Sequence, residues 1–182
     1  MVNDTGKKHH HRRSIRLVGY DYAAEGGYFI AMVTHGRRCL FGEVMNGEMK
    51  LNDFGKIVYA EWFRTEKLRP NVELLEDEFV VMPNHIHGII WINGENGWGT
   101  ARCAPTSERR FGEMAPNSLP TIVRSFKSAV TKNINLLRNT PGSPLWQRNN
   151  YEHIINSEKD YDNIANYIDS NPLNWEIDSE NH

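Results

Sequence analysis

His85 and His87, in Pro83-Asn84-His85-Ile86-His87-Gly88, are the residues whose type and spacing point most directly to chemistry. On an extended strand, side chains two apart share a face, so both imidazoles project to one side and Ile86 to the other. Two neutral imidazoles suit a divalent metal, but a metal site needs further ligands. Tyr167 and Asn171 supply a second pair, four residues apart before Pro172. On a helix that spacing stacks them on one side and offers a phenol and an amide oxygen to a common point. Asn171 is then a neutral oxygen ligand beside His85 and His87, and Tyr167 a nucleophile. A mixed nitrogen and oxygen site with open positions suits Mg2+ or Mn2+ acting as a Lewis acid on a phosphodiester. Tyr151 is the rival nucleophile; Tyr167 is preferred for its pairing with Asn171.

The elements that must position these groups follow from the patterning. Tyr28–Thr34 is a β-prone apolar run. Asn52-Asp53 caps a helix in which Phe54, Val58 and Trp62 recur every four residues, ending near Pro70. Residues 72–82 and 85–93 read as two strands of a hairpin turning at Pro83-Asn84. Pro120 opens a helix whose apolar stripe is Ile122, Phe126, Val130, Ile134 and Leu137. Arg124, Lys127, Lys132 and Arg138 lie off that stripe and are read as solvated charges in preference to phosphate contacts. Tyr151–Ile155 is a strand, and Ser157-Glu158-Lys159-Asp160 opens a last helix with Tyr161, Ile164, Ala165 and Ile168 inward. The order gives an α+β class and a ferredoxin-like β-α-β-β-α-β sandwich, an antiparallel sheet with two helices on one face, plus a C-terminal helix carrying the tyrosine.

With 39% hydrophobic and 24% charged residues among 182, the chain reads as one soluble domain with tails, and no apolar run approaches a membrane span. The expected divisions are a basic N-terminal arm at 1–24, a domain at 25–175 with a mobile loop at 94–117 and the tyrosine helix at 157–171, and a tail at 176–182. Two cysteines, Cys39 and Cys103, suggest neither a disulfide framework nor a thiolate metal site. No secretory leader is recognised, so the expected location is the cytoplasm. Net charge is only −2, but the first twenty residues carry Lys7, Lys8, Arg12, Arg13 and Arg16 against one acid, enough for a local arm to contact phosphates.

The chain resembles a known family at these positions. Met82-Pro83-Asn84-His85-Ile86-His87-Gly88 is similar to the histidine-hydrophobic-histidine motif of the HUH nucleases, specifically the single-tyrosine transposases of prokaryotic insertion sequences. Tyr167–Pro172 is similar to their C-terminal helix motif. Arg12–Leu17 with Gly19-Tyr20-Asp21-Tyr22, and Leu145-Trp146-Gln147-Arg148 with Tyr151-Glu152-His153, resemble the REP-associated tyrosine transposases, over residues 12 to 175. The resemblance implies cutting and rejoining of single-stranded DNA beside REP-like hairpins, with Tyr167 catalytic, a 5′-phosphotyrosine intermediate and a free 3′-hydroxyl. It further implies a Mg2+ or Mn2+ ion on His85, His87 and Asn171, DNA contacts from the arm and Arg148, no nucleotide cofactor, no membrane, and a monomer or homodimer. The competing readings are a non-catalytic nucleic-acid-binding module of the same topology, and a hydrolase of a small phosphoester.

Overall fold

Side-chain alternation along two neighbouring strands decides which residues meet the helical core and which meet the histidines. The computed structural model describes residues 20–94 and 116–181. In chain order the elements are β1 (Gly26–Val33), β2 (Gly42–Met45), β3 (Glu48–Leu51), α1 (Asp53–Leu68), β4 (Val72–Glu73), β5 (Phe79–Val81), β6 (His85–Ile92), α2 (Leu119–Leu137), β7 (Tyr151–Ile154) and α3 (Glu158–Ser170). The expected arm and loop, with Lys7, Lys8, Arg12, Arg13 and Arg16, lie outside the described residues except at their inner ends.

β1 and β6 pair antiparallel from Gly26 opposite Ile92 to Val33 opposite His85. β7 pairs antiparallel with the other edge of β1, while β4 and β5 pair in succession with the outer edge of β6. The architecture is α+β, an antiparallel sheet with helices. Tyr28, Ile30 and Met32 of β1, with Ile86 and Ile90 of β6, face one way into the main core. There they meet Val58 and Trp62 of α1 and Ile122, Phe126, Val130 and Ile134 of α2. Phe29 and Ile89 face the other way and pack on Ile168 of α3. Gly88 keeps the two-sided arrangement possible: a Cβ there would lie 2.6 Å from the Trp62 indole and 2.9 Å from the Phe79 ring.

The helix boundaries follow local chemistry. Asn52 caps α1 by accepting from the amides of Phe54 and Gly55, and Ser157 caps α3 by accepting from Asp160 N. Pro120 lies in the first turn of α2, which lacks amide partners in any helix. The α2 stripe is buried only to Ile134; Leu136 and Leu137 are exposed.

Two features differ from the expectations. The segment 72–82 is broken into β4 and β5 by a 3-10 turn at Glu76–Glu78, where three successive acids interrupt the apolar run. An additional hairpin, β2–β3, turns at Asn46-Gly47 with φ of 54° and 76°, the pair of positive values that a type I′ turn requires.

Candidate active site

Asn84 determines the state of the first histidine. Its Nδ2 donates to the carbonyls of Arg37 (3.2 Å) and Glu180 (2.5 Å), which only an NH2 group can do, so Oδ1 faces His85. The Asn84 Oδ1 to His85 Nδ1 distance is 2.8 Å, and an amide oxygen only accepts, so Nδ1 carries the proton. His85 Nε2 is therefore a bare lone pair, buried and without a hydrogen-bond partner. His87, on the same face with ring centroids 4.5 Å from those of His85, stacks on Phe29 at 5.5 Å. Burial pushes the His85 pKa down to about 4 against an opposing pull from Asp178, and pushes His87 well below its ordinary value, helped by the neighbouring His85. Both imidazoles are thus held neutral, the form that binds metal.

The tyrosine arrives on α3. Ile168 anchors this helix on Phe29 and Ile89, and Asp160 ties its first turn to β7 by accepting from Asn156 N and pairing with His153 Nε2 at 2.9 Å. Tyr167 then projects toward the strand pair, with its hydroxyl 3.2 Å from His87 Nε2. The Tyr167 side chain is partly exposed, and desolvation and the Asp178 charge raise its pKa, while Asn171 acts in the opposite sense by favouring the phenolate. Asn171 is 2% exposed, its Oδ1 has no hydrogen-bond partner of good geometry, and it also bears on His85.

After Pro172 the chain folds back over the site. Arg37 pairs with Glu180 at 2.9 Å, and the Asp178 carboxylate lies 3.8 Å from His85 Nε2. One donor atom each from His85, His87 and Asp178 lies within 4.8 Å of the others. The donor set fits a divalent cation on physical grounds: His85 Nε2 and Asn171 Oδ1 are buried lone-pair donors without a partner, in a protein interior where such atoms are ordinarily satisfied. Asp178 was not singled out in the sequence, where it is one of eight acids after residue 151.

The sequence is 42% identical over 173 residues to an uncharacterized protein of Haemophilus influenzae, covering 93% of this chain and 92% of that one. The two chains belong to one family. No protein-family model matches the sequence. Among solved structures, a REP-associated tyrosine transposase bound to a REP hairpin superposes with a TM-score of 0.57 at 19% identity, covering 88% of this chain and 73% of that chain. The fold is that of the REP-associated tyrosine transposases.

In this REP-transposase fold the four residues singled out from the sequence, His85, His87, Tyr167 and Asn171, meet at one place. Tyr151, the rival nucleophile, stands on β7 and packs on Phe29 at 6.1 Å without a hydrogen bond to either imidazole. Arg148 is exposed in the segment before β7. The Tyr20 and Tyr22 rings contribute to packing: both stand against Tyr28, whose hydroxyl donates to the Ala24 carbonyl. Among the described residues no helix is long and apolar enough to cross a membrane.

Proposed function

We propose that this protein is a metal-dependent endonuclease and strand transferase that cuts and rejoins single-stranded DNA beside palindromic hairpins, on a ferredoxin-like sandwich. The observation that carries this reading is the 3.2 Å approach of the Tyr167 hydroxyl to His87 Nε2, within a cluster of buried, unpartnered donor atoms. The hairpin-bound transposase of the same fold supports DNA as the substrate.

Mg2+ or Mn2+, when bound, supplies Lewis-acid polarisation of a phosphoryl oxygen, and His85, His87, Asn171 and Asp178 are the residues to hold it. Asn84 fixes the His85 tautomer, and burial keeps both imidazoles uncharged. Tyr167 rests as a neutral phenol because desolvation and Asp178 raise its pKa; compensating the Asp178 charge removes one of those causes. Tyr167 Oη then releases its proton to solvent and attacks phosphorus, the P–O3′ bond breaks, and the 3′-oxygen leaves and takes up a proton from solvent to become the free 3′-hydroxyl. The resulting 5′-phosphotyrosine conserves the ester bond, so rejoining needs no nucleotide cofactor. Lys7, Lys8, Arg12, Arg13, Arg16 and Arg148 contribute backbone contacts.

The test is cleavage of an end-labelled single-stranded oligonucleotide containing a palindromic hairpin, with Mn2+ and with chelator. The proposal expects a product whose new 3′ end a polymerase extends, formed only with metal. An unchanged oligonucleotide in Mn2+ contradicts it.

A further inference from the structure

One cavity of the structure is lined by neither histidine. It is a groove of about 950 Å3 between one face of α2 and the segment 139–150 that returns toward β7. Arg124, Lys127, Lys132 and Arg148 line it, and none of its lining residues is acidic among the described residues. In a chain of net charge −2, four cations around one groove without a compensating acid are a concentrated positive field. Glu152 acts electrostatically on Lys127 but does not line the groove.

The cations divide into two roles. Lys127 is mostly buried and donates to the Gln147 carbonyl at 2.8 Å and to that of Asn149 at 3.5 Å, so it pins the segment that carries Arg148. Arg124, Lys132 and Arg148 are exposed, and no described residue pairs with them. From Arg124 to Lys132 the helix advances ~12 Å at ~1.5 Å per residue, which spans about three to four phosphates at the ~3.4 Å spacing of one strand of a duplex. The groove wall is also tied to the histidine strand: Gln147 N donates to the Val33 carbonyl at 2.8 Å, and Val33 stands opposite His85. The groove lies on the α2 side of the sheet and the histidines on the α3 side, so a strand leaving them reaches the groove by passing round the β7 edge.

We infer that this groove is a second nucleic-acid site, one that grips the backbone phosphates of the DNA strand leading away from the scissile position. It rests on the proposed DNA substrate and adds a surface that performs no chemistry. Its cations read only phosphate, so the grip is independent of sequence.

The test uses full-length protein carrying Tyr167→Phe, so that binding is read without cleavage, and a mixed-sequence single-stranded oligonucleotide followed by fluorescence anisotropy across a KCl series. Replacing Arg124, Lys132 and Arg148 together by alanine flattens the slope of log affinity against log salt by about 2, at about 0.7 per cation for single strands, and weakens binding by at least about tenfold near 0.1 M salt. Alanine at the exposed α1 residues Lys56 and Lys67 leaves the slope unchanged. An unchanged slope in the triple variant, an equal loss in the α1 variant, or no binding by the starting protein overturns the inference. If the slope changes as expected while protein with intact Tyr167 forms no cleavage product, the catalytic reading fails and the groove stands. If cleavage occurs and the slope does not change, the groove alone fails.

Discussion

Asn84 and His85 are bonded side chain to side chain at 2.8 Å, and the direction of that bond leaves His85 Nε2 bare at the centre of a buried cluster. The chain thus places beside His85 the partner that sets its proton, as outer-shell groups do for ligating histidines generally. Asn84→Ala is expected to weaken Mn2+ binding by about 10- to 100-fold, measured by calorimetric titration. Binding unchanged from the parent protein would show that the His85 tautomer needs no support.

Asp178 is expected to matter to the cation and less to the fold. Asp178→Asn keeps the shape of the side chain and removes its charge, so Mn2+ affinity falls while the unfolding midpoint moves little. The same change lowers the Tyr167 pKa in metal-free protein, because one cause of its elevation is gone. A spectrophotometric titration of tyrosine absorbance in Asp178→Asn against the parent protein reads that shift; a shift upward contradicts the assignment.

Acid sensitivity follows from the buried imidazoles. His85 titrates near 6.5 when unfolded and near 4 when folded, so the unfolded chain binds its proton first. The stabilisation is complete above about pH 6.5 and is lost progressively as pH falls toward about 4, with a total on the order of 3 kcal/mol for this group. Urea unfolding of metal-free protein at about pH 7.5 and about pH 5 should show a lower midpoint in acid, and His85→Gln should reduce the difference. Equal midpoints in the parent protein contradict the account.

Gly88 belongs to the histidine motif but works on the opposite face of β6. Gly88→Ala drives a methyl to 2.6 Å from the Trp62 indole, a contact that must be relieved by moving a ring stacked on Phe79 at 4.3 Å. Overpacking of this kind costs about 1–3 kcal/mol, readable as a lower urea midpoint. Trp62→Leu in the same chain should recover part of the loss; a purely additive double variant argues against the clash.

Legibility in the sequence tracked the range of the interaction. The period of two placed His85 and His87 on one face, the period of four stacked Tyr167 on Asn171, and Asn52 and Ser157 announced the helix starts by local hydrogen bonding alone. The Asn46-Gly47 hairpin carried an equally local signal in the turn dipeptide, although its short strands are too polar to stand out as core. The interruption at Glu76–Glu78 was visible as three acids, one of which, Glu78, is buried and accepts from Trp91 Nε1 at 2.7 Å. Asp178 was different. Its role depends on the chain doubling back after Pro172, and on the Asn84 and Arg37 contacts that hold Glu180; nothing in the neighbouring residues distinguishes this carboxylate from seven others.

The central claim is that Tyr167 becomes covalently joined to DNA at the histidine pair. The direct measurement is a denaturing gel of protein incubated with Mn2+ and a labelled hairpin-bearing single strand, comparing the parent protein, Tyr167→Phe and Tyr151→Phe. The account predicts a labelled protein band for the parent and for Tyr151→Phe and none for Tyr167→Phe. A band that survives Tyr167→Phe, or that disappears with Tyr151→Phe alone, contradicts it.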